Sequence, residues 1–165
     1  MPPAASRPFP AVVAIEQASN NLSSTFAVAV IDIDHFKSFN DVHGHLEGDA
    51  CLRAISGCVA REVDARAHVF RFGGEEILVL LIDAEALGAL ALAERIRAAI
   101  EALDIRHRGL ADACVTASLG VAIGHPGDQT LEEILREADK ALYGAKGRGR
   151  NTVSMSSLAA FDNVA

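Results

Sequence analysis

HVFRFGGEEILVLLI, residues 68–82, reads as two short strands folded back on each other. Aromatic and β-branched residues fill the first arm, the second is a nearly continuous apolar run, and Gly73-Gly74 between them is a hairpin signal. An antiparallel pair in mid-chain argues against a doubly wound parallel sheet and for an α+β fold with a central, mostly antiparallel sheet flanked by helices. Outward from the hairpin the same logic extends to both ends. TFAVAVIDI (25–33) has the apolar pattern of a central strand covered on both faces. DHFKSFNDVHG (34–44) forms a short helical turn closed by Gly44, and a helix follows over 46–63 with Leu52, Ile55, Val59 and Val63 on one stripe. After the hairpin come a helix over 84–103 (Leu92, Ile96, Ala99), a long strand ACVTASLGVAI (113–123), an amphipathic helix over 131–146 (Leu131, Ile134, Leu135, Ala138, Leu142) and a short strand over 152–155.

The 165 residues, half of them hydrophobic, suit one domain with a sizeable core. Residues 1–10 hold four of the five prolines and are expected as an extended lead-in; AVVAIEQASNN (11–21) reads as a short helix, 11–156 as the domain and 157–165 as a tail. A net charge of -7 disfavours nonspecific binding to nucleic acid or anionic membrane. No apolar run reaches the roughly 18 residues a bilayer span needs; the longest, from Ile77, is broken by Asp83 and Glu85. No secretory leader pattern is present, so a cytoplasmic domain is expected. Cys51, Cys58 and Cys114 lie far apart in apolar company, which fits reduced packing residues, not metal ligands.

Chemistry is suggested by where the acids fall. Asp32-Ile33-Asp34 ends the first strand and Glu75-Glu76 sits at the hairpin tip. If those strands are neighbours, Asp32 and Glu75 come within reach of one cation, and a nucleotide's magnesium is commonly held by one or two carboxylates, a backbone carbonyl, waters and phosphate oxygens. The glycine pair leaves room for a ligand, while Lys37, Lys146 and Arg150 supply cationic groups suited to phosphates. Solvated strand-end acids are the plainer alternative for any one of these residues; together they describe a metal-assisted phosphoryl-transfer site.

IDIDHFKSFNDVHGHLEGDACL (31–52), RFGGEEI (71–77), VTASLGVA (115–122) and ADKALYGAKGRGRN (138–151) occur in the order and at the spacing of the GGDEF family, the diguanylate cyclase domain, which the chain resembles from Phe26 to Val153. The resemblance implies a fold similar to the adenylyl cyclase and polymerase palm, with a ferredoxin-like core. It also implies condensation of two GTP molecules into cyclic di-GMP and two pyrophosphates. On its terms Asp32, the carbonyl of Ile33 and Glu75 bind magnesium, or manganese in its place. Glu75 is the base, Glu76 lies near the same cluster and the 3'-hydroxyl, and Lys37 stabilises charge on the triphosphate. Asn40 and Asp49 read guanine, Phe36, His45, Gly73 and Gly74 line the substrate pocket, and Lys146 and Arg150 hold the outer phosphates. Each domain holds one GTP, so the reaction requires a transient antiparallel homodimer.

Three departures from the family pattern stand out. The hairpin ends in Ile77 where phenylalanine is usual. The Arg-x-x-Asp of product-inhibited members would fall at positions 64 and 67, where this chain has Asp64-Ala65-Arg66-Ala67. Arg61 to Asp64 mimics that pattern three residues too early and reads as a solvated charge pair. Arg95 matches a secondary product-binding arginine of some members, although an exposed helix arginine is the plainer reading. Finally, the Asp-x-Leu-Thr-Gly-Leu opening of the family is missing, which implies a fragment of a longer protein whose N-terminal part is a sensory or dimerising module and which is membrane-anchored in some architectures. The rival to an active cyclase is a non-catalytic GGDEF domain that senses GTP or cyclic di-GMP.

Overall fold

The computed structural model describes residues 24–111 and 113–156. The expected helix at 11–21, the lead-in and the tail lie outside them. Five strands form one sheet: β1 (Phe26–Ile33), β2 (Ala67–Arg71), β3 (Glu76–Ile82), β4 (Ala117–Gly124) and β5 (Val153–Met155). Their spatial order is β2-β3-β1-β4-β5. Every pairing is antiparallel except β4 with β5, as the hairpin demanded. Helices α1 (Phe36–His43), α2 (His45–Glu62), α3 (Ala86–Ala102) and α4 (Leu131–Gly147) connect the strands.

Strand alternation sorts the core into two layers. Ala27, Ile31 and Ile33 of β1 pack with Leu52, Ile55 and Val59 of α2 and Ala93, Ile96 and Ile100 of α3. Phe26, Val28 and Val30 face the other way, with Leu78 and Leu80 of β3 and Ile134, Ala138 and Leu142 of α4. Burying each such large apolar side chain contributes roughly 1.5–3 kcal/mol. The parity of β1 then places Asp32 on the α4 face, and that of β3 places Glu76 there too. The register sets Asp32 opposite Glu76 on one side and Ser118 on the other.

Helix α4 lies hard against the sheet. A Cβ on Gly120 would come 2.1 Å from the Ala138 carbonyl oxygen and 2.3 Å from the Leu142 nitrogen, so only glycine lets backbone meet backbone here. The helix starts on a capping box, with the Thr130 hydroxyl accepting from Glu133 N–H and the Glu133 carboxylate from Thr130 N–H. Its far end carries Lys146 to the end of β1.

Strand β4 begins at Ala117, later than the expected 113. The preceding residues bond back to their own loop instead: His107 N–H donates to the Ala113 carbonyl at 2.8 Å and Val115 N–H to the Ile105 carbonyl at 2.7 Å. Cys51 and Cys58 are buried and Cys114 half-buried, all unpaired as thiols; burial pushes the Cys51 thiol up to about 11, the mark of an inert packing residue. Among the described residues no helix is long and apolar enough to cross a membrane.

Candidate active site

The hairpin tip folds over the end of β1. Ile33 N–H approaches the Glu75 carbonyl at 3.4 Å, and both Phe72 N–H (2.9 Å) and Gly73 N–H (3.3 Å) donate to the Glu76 carbonyl. The two glycines are not needed for backbone handedness, since neither has positive φ. Their role is space. A Cβ on Gly73 would lie 2.8 Å from Glu76 Oε2 and push that carboxylate aside, while Gly74 opens onto nothing within 4 Å. Arg71, which the sequence did not single out, ties the tip down by donating to the carbonyls of Gly73 (3.4 Å) and Gly74 (3.1 Å). Ile77 is buried in the α2–α3 layer, so the altered last letter of the hairpin packs as an apolar residue should.

Asp32 is 6% exposed and Lys146 Nζ sits 2.9 Å from its Oδ2. Around that ammonium gather further acids. Burial first, and then the Asp32 charge, push the Glu75 carboxyl above its ordinary value, and Lys146 draws it part of the way back. Glu76 is raised by burial and by Asp32, Asp139 and Glu75. Asp139 of α4 is exposed overall, yet partial desolvation of its carboxyl pushes it up while Lys146 draws it back. Asp139 was missed by sequence reasoning, although it stands seven residues before Lys146, two helical turns along one face. Asp32 alone is paired with Lys146, while Glu75, Glu76 and Asp139 stand near enough to feel its charge, so this region carries an excess of negative charge.

The expected base-reading residues lie on the two helices after β1. His35 enters α1 with φ of 54° and no side-chain cap, and Gly44, at φ 87°, both ends α1 and precedes α2. That sharp junction sets Asn40 against Gly48: a Cβ there would fall 1.7 Å from Asn40 Oδ1. Asn40 Oδ1 is buried without a hydrogen-bond partner, packed where a Gly48 Cβ would lie. Asp49, next to Gly48, is exposed, as are His45 and Lys37. Phe36 is buried, its ring stacked with Phe39 at 6.3 Å.

The histidines are less scattered in space than in sequence. His107 is fully buried, edge-on to Phe39 at 5.4 Å and 5.9 Å from His43. Its Nδ1 accepts from Gly109 N–H at 3.1 Å, which leaves Nε2–H facing the His35 carbonyl at 3.4 Å. This ring holds the start of α1 in place. No local signal marks it, because 72 residues separate His107 from His35.

The family sequence model for the diguanylate cyclase GGDEF domain matches residues 12–152. The chain belongs to the GGDEF family. It is 38% identical over 139 residues to diguanylate cyclase DosC of Escherichia coli K12 and 38% identical over 141 residues to diguanylate cyclase A of Treponema denticola. These matches cover 83% and 84% of this chain but 30% and 37% of those proteins, so the chain spans about a third of the length of the curated relatives it matches. Among solved structures it resembles the GGDEF domain of DgcB from Caulobacter crescentus in complex with c-di-GMP (TM-score 0.73, 31% identity, 88% of this chain and 83% of that one). It also resembles the active GGEEF domain of a Vibrio cholerae diguanylate cyclase (TM-score 0.72, 29% identity, 88% and 90%). Against that family pattern, positions 64–67 are self-satisfied in this GGDEF domain. Arg66 Nη2 pairs with Asp64 Oδ2 at 2.9 Å on the surface. Arg95 donates to the Glu62 carbonyl at 2.5 Å and to its carboxylate at 3.3 Å, joining α3 to the end of α2. Where the sequence suggested a solvated charge pair between Arg61 and Asp64, Asp64 pairs with Arg66, and Glu62 pairs with Arg95 across the helices.

Proposed function

We propose that this domain is the catalytic unit of a diguanylate cyclase, spanning 11–156 within a longer protein, and that it joins two GTP into cyclic di-GMP across an antiparallel homodimer. The observation that carries the reading is the crowd of Asp32, Glu75, Glu76 and Asp139 around a single ammonium at the open end of β1 and the hairpin. Lys146 Nζ on Asp32 marks where a cation is wanted. Among the described residues no three His, Cys, Asp or Glu side chains converge as a closed cage. A divalent ion here would be held by Asp32, Glu75 and the Ile33 carbonyl, with phosphate oxygens of the nucleotide as further ligands. When bound, a divalent cation such as magnesium offsets phosphate charge and lowers the pKa of the attacking 3'-hydroxyl.

The chain's own groups do the rest. Asn40 and Asp49 present an acceptor and a carboxylate to a guanine edge; Gly73 and Gly74 leave room for the nucleotide. The raised carboxyl of Glu75 suits it to take the 3'-hydroxyl proton, since a base works best when its pKa lies nearer the working pH. Lys146, released from Asp32, and Arg150 take the outer phosphates, and Lys37 meets charge developing on the triphosphate. Each domain aims one nucleotide at the other's α-phosphate, so a lone copy binds substrate without completing the product. Glu75→Gln tests the assignment: turnover is lost while GTP still binds. Undiminished turnover in that variant removes Glu75 from the chemistry.

A further inference from the structure

Three residues in succession, Gly149, Arg150 and Asn151, have positive φ: 109°, 66° and 45°. For the two with side chains this conformation is costly and persists only where its surroundings enforce it. What enforces it is a polar network on Asn151. Its backbone N–H donates to Asp34 Oδ2 at 3.0 Å, its Nδ2 to Glu101 Oε1 at 2.9 Å, and its Oδ1 accepts from Arg97 Nη1 at 2.6 Å.

Both ends of that network are themselves fixed. Asp34 is 3% exposed, and its carboxylate also accepts from the Thr116 and Ser118 hydroxyls, each at 2.7 Å. On α3, Arg97 pairs with Glu94 at 2.7 Å and Glu101 at 2.8 Å. Asn151 is thus bonded to β1 through its backbone and to α3 through its side chain. Arg150 next to it is exposed; its N–H donates to the Ala145 carbonyl at 3.2 Å. A surface arginine is ordinarily free to wander, yet this one projects from a backbone pinned from two sides.

We propose that Asn151, seated on Asp34 and bridged to Arg97 and Glu101, is a positioning residue that aims Arg150 at the outer phosphates of the nucleotide. The proposal rests on the phosphate-binding reading of Arg150 given above. It makes Asp34 a structural acid, in contrast to Asp32 two residues earlier, and makes α3 part of the substrate's support although none of its residues is expected to touch substrate.

The test is the ratio of affinities for α,β-methylene GTP, whose bridging carbon blocks cleavage, and GMP, measured by calorimetry with magnesium. Arg150→Ala is expected to reduce the triphosphate preference by about tenfold, the worth of one charge-assisted contact. Asn151→Ala is expected to reduce it similarly with GMP affinity unchanged, and the double variant to be no worse than Arg150→Ala alone. If Asn151→Ala fails to fold, Asn151→Gly serves, because glycine accepts positive φ and keeps the N–H on Asp34 while losing both side-chain bonds. A preference lost in Arg150→Ala but kept in Asn151→Ala and Asn151→Gly, or effects that add in the double variant, overturns the positioning role alone. A wild-type protein that binds GMP and the triphosphate equally overturns the phosphate-binding reading and the positioning role with it.

Discussion

Replacing Lys146 with methionine keeps the packing of the side-chain stem and removes the ammonium that pairs with Asp32 and stands near Glu75, Glu76 and Asp139. The Lys146–Asp32 contact is 2.9 Å, with side chains 33% and 9% exposed. Breaking a fully buried pair costs about 3–5 kcal/mol because it strands a charge. Here a third of the lysine is in water, so solvent takes up part of the loss and about 1–3 kcal/mol remains. At about 2–4 °C per kcal/mol for a domain of this size, Lys146→Met should melt roughly 2–12 °C below the wild type in chelator. Magnesium should shrink the deficit, since a second cation can serve the same acids, and adding Asp32→Asn to Lys146→Met should cost nothing more. Thermal unfolding followed by circular dichroism, with chelator and with magnesium, measures all three. A Lys146→Met protein that melts within about 1 °C of wild type in chelator refutes the reasoning.

Glu75 and Glu76 both have folded-state values raised above the ordinary 4.5. The native state therefore holds their protons more tightly than the unfolded chain, and the stability they lend is full below 4.5 and lost as pH rises through the raised values. Glu75→Gln and Glu76→Gln should flatten that part of the melting-temperature profile in chelator and melt above wild type at neutral pH; lower melting there contradicts the repulsion. Gly48→Ala should displace the Asn40 amide, on which the new methyl would fall at 1.7 Å, and cost roughly tenfold in GTP affinity, the loss of about one hydrogen bond to a base edge, with little change in melting temperature. Nucleotide titration checks it. Added cyclic di-GMP should leave the initial rate unchanged, because Asp64 and Arg66 satisfy each other; Asp64→Arg with Ala67→Asp should install inhibition, read from rates at rising product.

Much of this was legible in the sequence because it was written in local patterns. The apolar runs of β1 and β3 and the glycine pair set the hairpin, and the order of elements set the sheet. Asp32 and Glu75 could be brought together by assuming neighbouring strands; the strands are neighbours, and their register sets Asp32 opposite Glu76. What stayed hidden depends on distant parts of the chain meeting. His107 reaches His35 across 72 positions, and Asp34 reaches Asn151 across 117. Asp139 looks like any solvent-facing helix acid until the register of α4 on Gly120 turns it toward the hairpin. The start of β4 was misjudged because residues 113–115 have strand-like side chains, but their backbone groups find partners in the adjacent loop.

The most direct measurement is product formation from GTP and magnesium over a wide range of protein concentration, with the dinucleotide identified by mass spectrometry. The account predicts cyclic di-GMP, formed at a rate that rises faster than linearly with protein because two domains must meet. A domain that binds GTP yet forms no product at high concentration, or after fusion to a dimerising helix, contradicts it and identifies a nucleotide sensor instead.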